Sequence, residues 1–226
     1  MANQGQEETA STDGSNVADS STVPTGLGMS VGRLEAFSDG VLAIVITLLI
    51  LDISVPEKGS ESLAHALADQ WQQYVAYLLS FLIVGIIWLN HHATINLLAR
   101  TNHTLQVLNL LLLLPVSVLP WPTALLAEYA EGTEEDQRVA VIVYGVASSM
   151  MAITFNILWR YILRHRELHK PNVSLAMLAV RNRRFNIGPF VYPVATAIGL
   201  ISAPVFLALM LLLALLYLLP TPDVEV

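Results

Sequence analysis

The sequence predicts an all-α, polytopic membrane protein with six transmembrane helices, and three observations predict it. Of 226 residues, 54% are hydrophobic and only 13% are charged, against roughly 25% charged in an average soluble domain. The mean hydropathy is +0.59. The apolar residues also come in blocks long enough to cross a bilayer, blocks that a soluble domain of this size would interrupt with polar faces. Lipid is therefore the expected solvent. Cysteine is absent, which excludes disulfides and thiolate metal sites and leaves the redox compartment open. The formal net charge of −7 conceals acidic and basic residues held in different segments. It indicates no basic nucleic-acid surface, so no nucleic-acid partner is expected.

Residues 1–29 are rich in Ser, Thr, Gly, Asn and acidic side chains. They carry too little apolar surface to offset the cost of chain ordering, which predicts a disordered tail. The tail has neither the basic start nor the apolar stretch of a secretory signal, so insertion falls to the first helix. That helix is expected from Leu34 to Ile53, ending near Pro56, and the second from Trp71 to Thr94. The third spans Leu105 to Leu126 and carries Pro115 and Pro120, each of which lacks a backbone donor and invites a kink. The fourth is expected from Val139 to Leu163. From Ile187 to Leu219 run 33 mostly apolar residues. As one helix they would extend about 50 Å, well beyond a hydrocarbon layer of about 30 Å. A break at Ser202-Ala203-Pro204 resolves this, giving two short spans over 186–201 and 204–219. The membrane domain then covers 30–220, with a C-terminal tail over 221–226.

Six spans put the N-terminus, the 2–3 loop, the 4–5 loop and the C-terminus on one side. That side holds Arg33, Arg100, Arg160, Arg164, Arg166, Lys170, Arg181, Arg183 and Arg184, nine of the eleven Lys and Arg residues. The other side keeps Lys58 and Arg138 beside an acidic 3–4 loop containing Glu128, Glu131, Glu134, Glu135 and Asp136. By the positive-inside rule both termini are cytoplasmic.

Asp39 enters a wholly apolar span, which is costly and marks it as a functional candidate. Capping of the helix by Ser38 or Asp39 is the competing reading. The first helix rises from the cytoplasm and the second returns, so Asn90, His91 and His92 reach about the depth of Asp39, and Asn109 on the third helix does too. Such a cluster would satisfy its own buried polar groups, as scaffold or as chemistry. The adjacent His91 and His92 project about 100° apart on a helix and suit two partners better than one metal ion, so no metal and no cofactor are assigned. His165 and His169 share i, i+4 spacing but lie in the basic Arg164–Lys170 segment, which reads as solvated or headgroup-facing. No P-loop, HExxH or GxSxG motif is present, so an enzyme is not expected. Neither the TVGYG filter nor an Arg-repeat voltage sensor occurs.

The run Arg33-Leu34-Glu35-Ala36-Phe37-Ser38-Asp39-Gly40 closely resembles the RxxxFSD signature that opens the first helix in the transmembrane protein 175 family, lysosomal and prokaryotic potassium channels. Trp88-Leu89-Asn90-His91-His92 resembles that family's WxxHH element. The resemblance covers about residues 31–220, one six-helix unit, similar to prokaryotic members that assemble as homotetramers in the cell membrane. It implies that the first helices of four subunits line a central pore with a hydrophobic constriction. Carried over from the matching Asp, the narrow point falls on Ile44, with Leu48 and Leu51 also pore-facing and Thr47 nearby. At 100° per residue, Ile44, Leu48 and Leu51 lie at about 0°, +40° and −20°, with Thr47 at about −60°, so they form one stripe. By itself that stripe reads as packing or lipid contact. Asp39 and Ser38 lie about 140° and 120° away, toward neighbouring helices. Arg33, Phe37, Ser38, Asp39, Asn90, His91, His92 and Asn109 are thus expected to form a packing network around the motif. Arg33 could equally place a charge at the intracellular mouth. The function implied is a potassium-permeable channel that also passes other monovalent cations, and the competing one a proton-coupled transporter.

Overall fold

The computed structural model describes residues 29–59 and 62–218. The expected tail over 1–29 therefore lies outside the described residues except at Met29, as does the C-terminal segment 221–226. All regular elements among the described residues are helices, and the one extended contact is an isolated antiparallel bridge between Leu98 and His169.

Helix α1 (Val31–Leu48) is capped by Ser30 and continues into a 3-10 turn over Leu49–Asp52. It starts three residues earlier than expected, because Ser30 is the capping side chain and neither Ser38 nor Asp39 is. A short helix α2 (Leu63–Asp69), capped by Ser62, precedes α3 (Trp71–Ile95). The expected third span is two helices, α4 (His103–Val118) and α5 (Pro120–Glu128). Pro115 sits inside α4, whereas Pro120 opens α5 at its first turn, where the missing N–H costs nothing. Helix α6 (Glu134–Arg164) runs 31 residues. It begins ahead of the expected Val139 because Thr133 caps it and Glu134, Glu135 and Asp136 fill the first turn, where negative charge is favoured. An amphipathic helix α7 (Leu175–Phe185) follows in the 4–5 connection, then α8 (Gly188–Gly199) and α9 (Ala203–Leu218). The break falls at Leu200–Ser202, beside the predicted Ser-Ala-Pro. Helix α8 begins later than 186, since the chain between α7 and α8 turns there.

Among the described residues, four helical stretches are long and apolar enough to cross a membrane: Val31–Asp52, Trp71–Ile95, His103–Glu128 and Glu134–Arg164. Ala203–Leu218 is a shorter apolar helix, and α8 has 12 residues.

Helix α6 is the central element, contacted by α4, α5, α7, α8 and α9, whereas α1 lies at the edge against α3 and α4. Apolar side chains gain little from leaving lipid for protein, so close packing and interhelical hydrogen bonds must hold the bundle. Gly145 on α6 shows the packing: a Cβ there would stand 2.0 Å from Thr196 Oγ1 on α8. At Gly199 it would stand 2.6 Å from Val141 Cγ1 and 2.8 Å from Phe206 Cβ. A buried hydroxyl cluster joins three helices, with Ser80 Oγ 2.7 Å from Thr123 Oγ1 and 3.0 Å from Tyr144 Oη.

The connections gather at two ends. At one end the Leu98–His169 bridge is flanked by Ala99 N–H donating to Leu168 O and Lys170 N–H donating to Leu97 O, and Thr101 Oγ1 donates to Met29 O. The start of α1, the 2–3 connection and the 4–5 connection are thus tied together. At the other end Gln72 Nε2 donates to Glu131 Oε1, and Arg138 Nε donates to Leu200 O at the α8–α9 break.

Candidate functional site

Helix α1 carries two opposite faces. Leu34, Ser38, Leu42, Val45 and Leu49 are buried, and their spacing of three and four residues makes one stripe against α3 and α4. Within that stripe Ser38 is the polar member, bonded directly to α4 and, through the α4 residue, linked to α3. Ser38 Oγ donates its single proton to Leu34 O at 2.9 Å, the usual back-bond of a serine inside a helix. Asn109 Nδ2 on α4 donates to Ser38 Oγ at 2.8 Å, and Asn109 Oδ1 then faces His91 Nε2 on α3 at 2.7 Å. An acceptor at Oδ1 requires the proton on Nε2, which fixes the imidazole tautomer. The Nδ1 lone pair of His91 is buried and unpartnered among the described residues. Ser38, Asn109 and His91 are all fully buried. This chain of hydrogen bonds welds α1, α3 and α4 at one depth, and α4 is further fixed because its capping residue Asn102 donates to Tyr161 Oη of α6 at 2.8 Å.

The remaining motif residues lie outside that chain. Asp39, expected beside a histidine of the His91-His92 pair, is half-buried and accepts from Trp88 Nε1 at 3.0 Å. The reason is angular: Asp39 is one residue, about 100°, off the buried stripe that Ser38 occupies. His92 is exposed and its Nδ1 stands 2.9 Å from Glu35 Oε1, while its Nε2 faces Asn96 Nδ2 at 2.9 Å. Trp88 stacks on the His92 ring with centroids 6.0 Å apart. Asn90 Nδ2 donates to Ile86 O and the Asn90 backbone carbonyl accepts from Thr94 Oγ1, so both of these bonds stay within α3. Phe37 and Arg33 are exposed, and the Arg33 side chain makes no ion pair with the described residues. Glu35, Trp88 and Asn96 are participants that the sequence reading did not assign to the network. The signal for them is i, i+4 spacing: Glu35 with Asp39, Trp88 with His92, and His92 with Asn96.

The opposite face of α1 is bare. Ile44 is 61% exposed, Leu48 42% and Leu51 73%, and Thr47 is exposed as well. Thr47 Oγ1 donates to Ile44 O at 2.8 Å, leaving its oxygen lone pairs outward.

The family model of the endosomal/lysosomal potassium channel TMEM175 matches residues 33–120. A potassium channel of Streptomyces collinus is 46% identical over 187 residues, covering 82% of this chain and 90% of its own. The crystal structure of a lysosomal potassium-selective channel TMEM175 homolog from Chamaesiphon minutus superposes with a TM-score of 0.74 at 38% identity, covering 83% of this chain and 95% of that one. The endosomal/lysosomal proton channel TMEM175 of Gallus gallus is 36% identical over 146 residues, which is 61% of this chain but 29% of the chicken protein.

Proposed function

The chain belongs to the TMEM175 family of potassium channels, and on that premise we propose that it is a potassium-permeable cation channel of four identical six-helix subunits whose α1 helices line a central pore. One observation carries the reading. Helix α1 buries one face against α3 and α4 and leaves Ile44, Thr47, Leu48 and Leu51 uncovered on the other. A bare apolar stripe on an edge helix is what a ring of subunits around an axis would use.

Four copies of Ile44 then form the narrowest ring, with Leu48 and Leu51 beyond it and the Thr47 hydroxyl oxygens available to a passing cation. An ion must cross this constriction largely dehydrated. Sodium is the more strongly hydrated ion and meets the higher barrier, while rubidium and caesium pass. An apolar constriction can also close by dewetting after a small inward shift. The Ser38–Asn109–His91 chain fixes the angle of α1 about its axis and so keeps the stripe facing the pore. Both termini face the cytoplasm of a cell membrane, in keeping with the basic residues on that side, and Arg33 stands at the cytoplasmic mouth.

The experiment is a reversal potential under bi-ionic potassium and sodium conditions. Ile44→Asn raises sodium permeability relative to potassium, Ile44→Val changes it less, and Val45→Ala on the buried face leaves it alone. An unchanged reversal potential in conducting Ile44→Asn channels removes Ile44 from the filter and leaves Thr47, Leu48 or Leu51. The proton-coupled transporter is separated by proteoliposome flux: a channel dissipates a potassium gradient passively, whereas a coupled transporter stalls unless protons move.

A further inference from the structure

Where α1 and α3 meet, next to the buried hydrogen-bond chain, two carboxylates and an imidazole converge. Glu35 and Asp39 lie one helical turn apart on α1, and His92 reaches them from α3. One ligand atom from each residue lies within 4.8 Å of the other two. Glu35 Oε1 and His92 Nδ1 are already 2.9 Å apart, close to the roughly 3.3 Å edge of a tetrahedron with metal–ligand bonds of about 2.0 Å. Asp39 completes the set by a side-chain rotation, since one of its oxygens holds Trp88 and the other is uncommitted.

The charge balance is the second observation. Two carboxylates within 4.8 Å of one another repel, and both are partly buried at the entry to an apolar span. No Lys or Arg among the described residues forms an ion pair with either: Glu35 has only the imidazole, Asp39 only the neutral indole. Arg33, two residues from Glu35, makes no ion pair among the described residues. A divalent cation would neutralise the pair. The surroundings suit one, because the Trp88 indole orients Asp39 and the Asn96 amide orients the far nitrogen of His92.

We propose that Glu35, Asp39 and His92 form a binding site for a first-row divalent metal ion such as zinc, clamping α1 to α3. The site differs from a joint His91-His92 site, since His91 is committed to Asn109. In the metal-free state His92 Nδ1–H donates to Glu35 and Nε2 accepts from Asn96. On binding, the Nδ1 proton is exchanged through solvent for one on Nε2, and Nδ1 coordinates the metal. Nε2 then carries the proton, and the Asn96 amide turns over to accept it. The neutral imidazole thus changes tautomer with no net proton release, and because protons compete with the metal for the imidazole and the two carboxylates, affinity falls as pH is lowered.

The test is titration of the purified, detergent-solubilised channel with Co²⁺, read by visible ligand-field absorption, and with Zn²⁺, read by calorimetry. Neither readout depends on conduction, so a failed metal site and a failed channel assignment remain distinguishable. The expected result is one ion per chain, with Glu35→Gln and His92→Ala each weakening it more than ~10-fold and Asn96→Leu weakening it ~10-fold. His65→Ala, which removes the exposed histidine paired with Asp69, leaves the stoichiometry unchanged. Glu35 and His92 lie outside the buried core, and an unaltered gel-filtration profile verifies assembly of each variant. Absence of a ligand-field band in the wild-type protein overturns the proposal, as does metal uptake that persists unweakened in His92→Ala.

Discussion

Asn109 rather than Asp39 decides how α1 is held. Its amide is spent in both directions, donating to Ser38 and accepting from His91, in a site with no access to solvent. Asn109→Leu would leave the His91 Nε2–H without a partner, at a cost of ~1–3 kcal/mol, whereas removing both partners with apolar groups of similar shape is far milder. The expected outcome is a clear fall in the melting temperature of detergent-solubilised protein for Asn109→Leu, partly restored in the double variant Asn109→Leu/His91→Phe. Asp39→Ala loses one hydrogen bond at a half-buried position, and a cost of about 0.5–1.5 kcal/mol is expected. If Asp39→Ala proves the more destabilising of the two, the buried chain is not what fastens α1. The FSD and HH runs already mark the neighbourhood in the sequence. Which of two adjacent residues turns inward rests on a 100° difference that depends on where the helix packs.

At the scale of elements, the helices follow from apolar run length and their ends from capping chemistry. Thr133 with its three acidic followers starts α6 well before the hydrophobic stretch does, and Ser30 starts α1 ahead of Leu34. Hydropathy alone misses such starts, because the first turn of a helix can be polar. Helix α7 escaped the sequence reading for a related reason: it is amphipathic rather than apolar, and it docks through Arg181 donating to Ala93 O at 2.8 Å and Trp159 Nε1 donating to Asn182 Oδ1 at 3.2 Å. The close approach of α6 and α8 is a tertiary fact. Gly145→Ala would drive a methyl into Thr196, whose Cβ lies 2.7 Å from the new atom, so rotation of Thr196 alone cannot relieve it. A loss of ~1–3 kcal/mol is expected, read as a lower melting temperature, and Thr196→Ala in the same chain should recover part of it. Gly85→Ala on α3 meets nothing within 4 Å and should be neutral. Equal effects of the two glycine substitutions would mean that α6 and α8 do not touch there.

For the whole molecule, the bare face of α1 predicts association. Native mass measurement in mild detergent should give four times the 24.7 kDa chain mass, and a fully active monomer or dimer would refute the ring. Leu51→Glu, on the most exposed position of the stripe, should abolish or reshape potassium flux through the ring's four added charges while leaving the subunit fold intact, since that side chain touches no core. A flux indistinguishable from wild type would place Leu51 outside the pathway. The sequence by itself determined the solvent and the class of fold, because block length against bilayer thickness is a one-dimensional property. It determined the break after α8 for the same reason. The placement of Lys and Arg is also one-dimensional, so the expected orientation could be read before any fold was known. Tertiary structure alone decided which motif residues meet, that Ser38 joins Asn109 and His91 while Asp39 joins Trp88, and that Glu35 approaches His92. Those contacts depend on the relative rotation and depth of three helices packed side by side, and residues 71 positions apart carry no local signal of their pairing. The helix wheel supplies the faces, and only packing against α3 and α4 determines which face is covered.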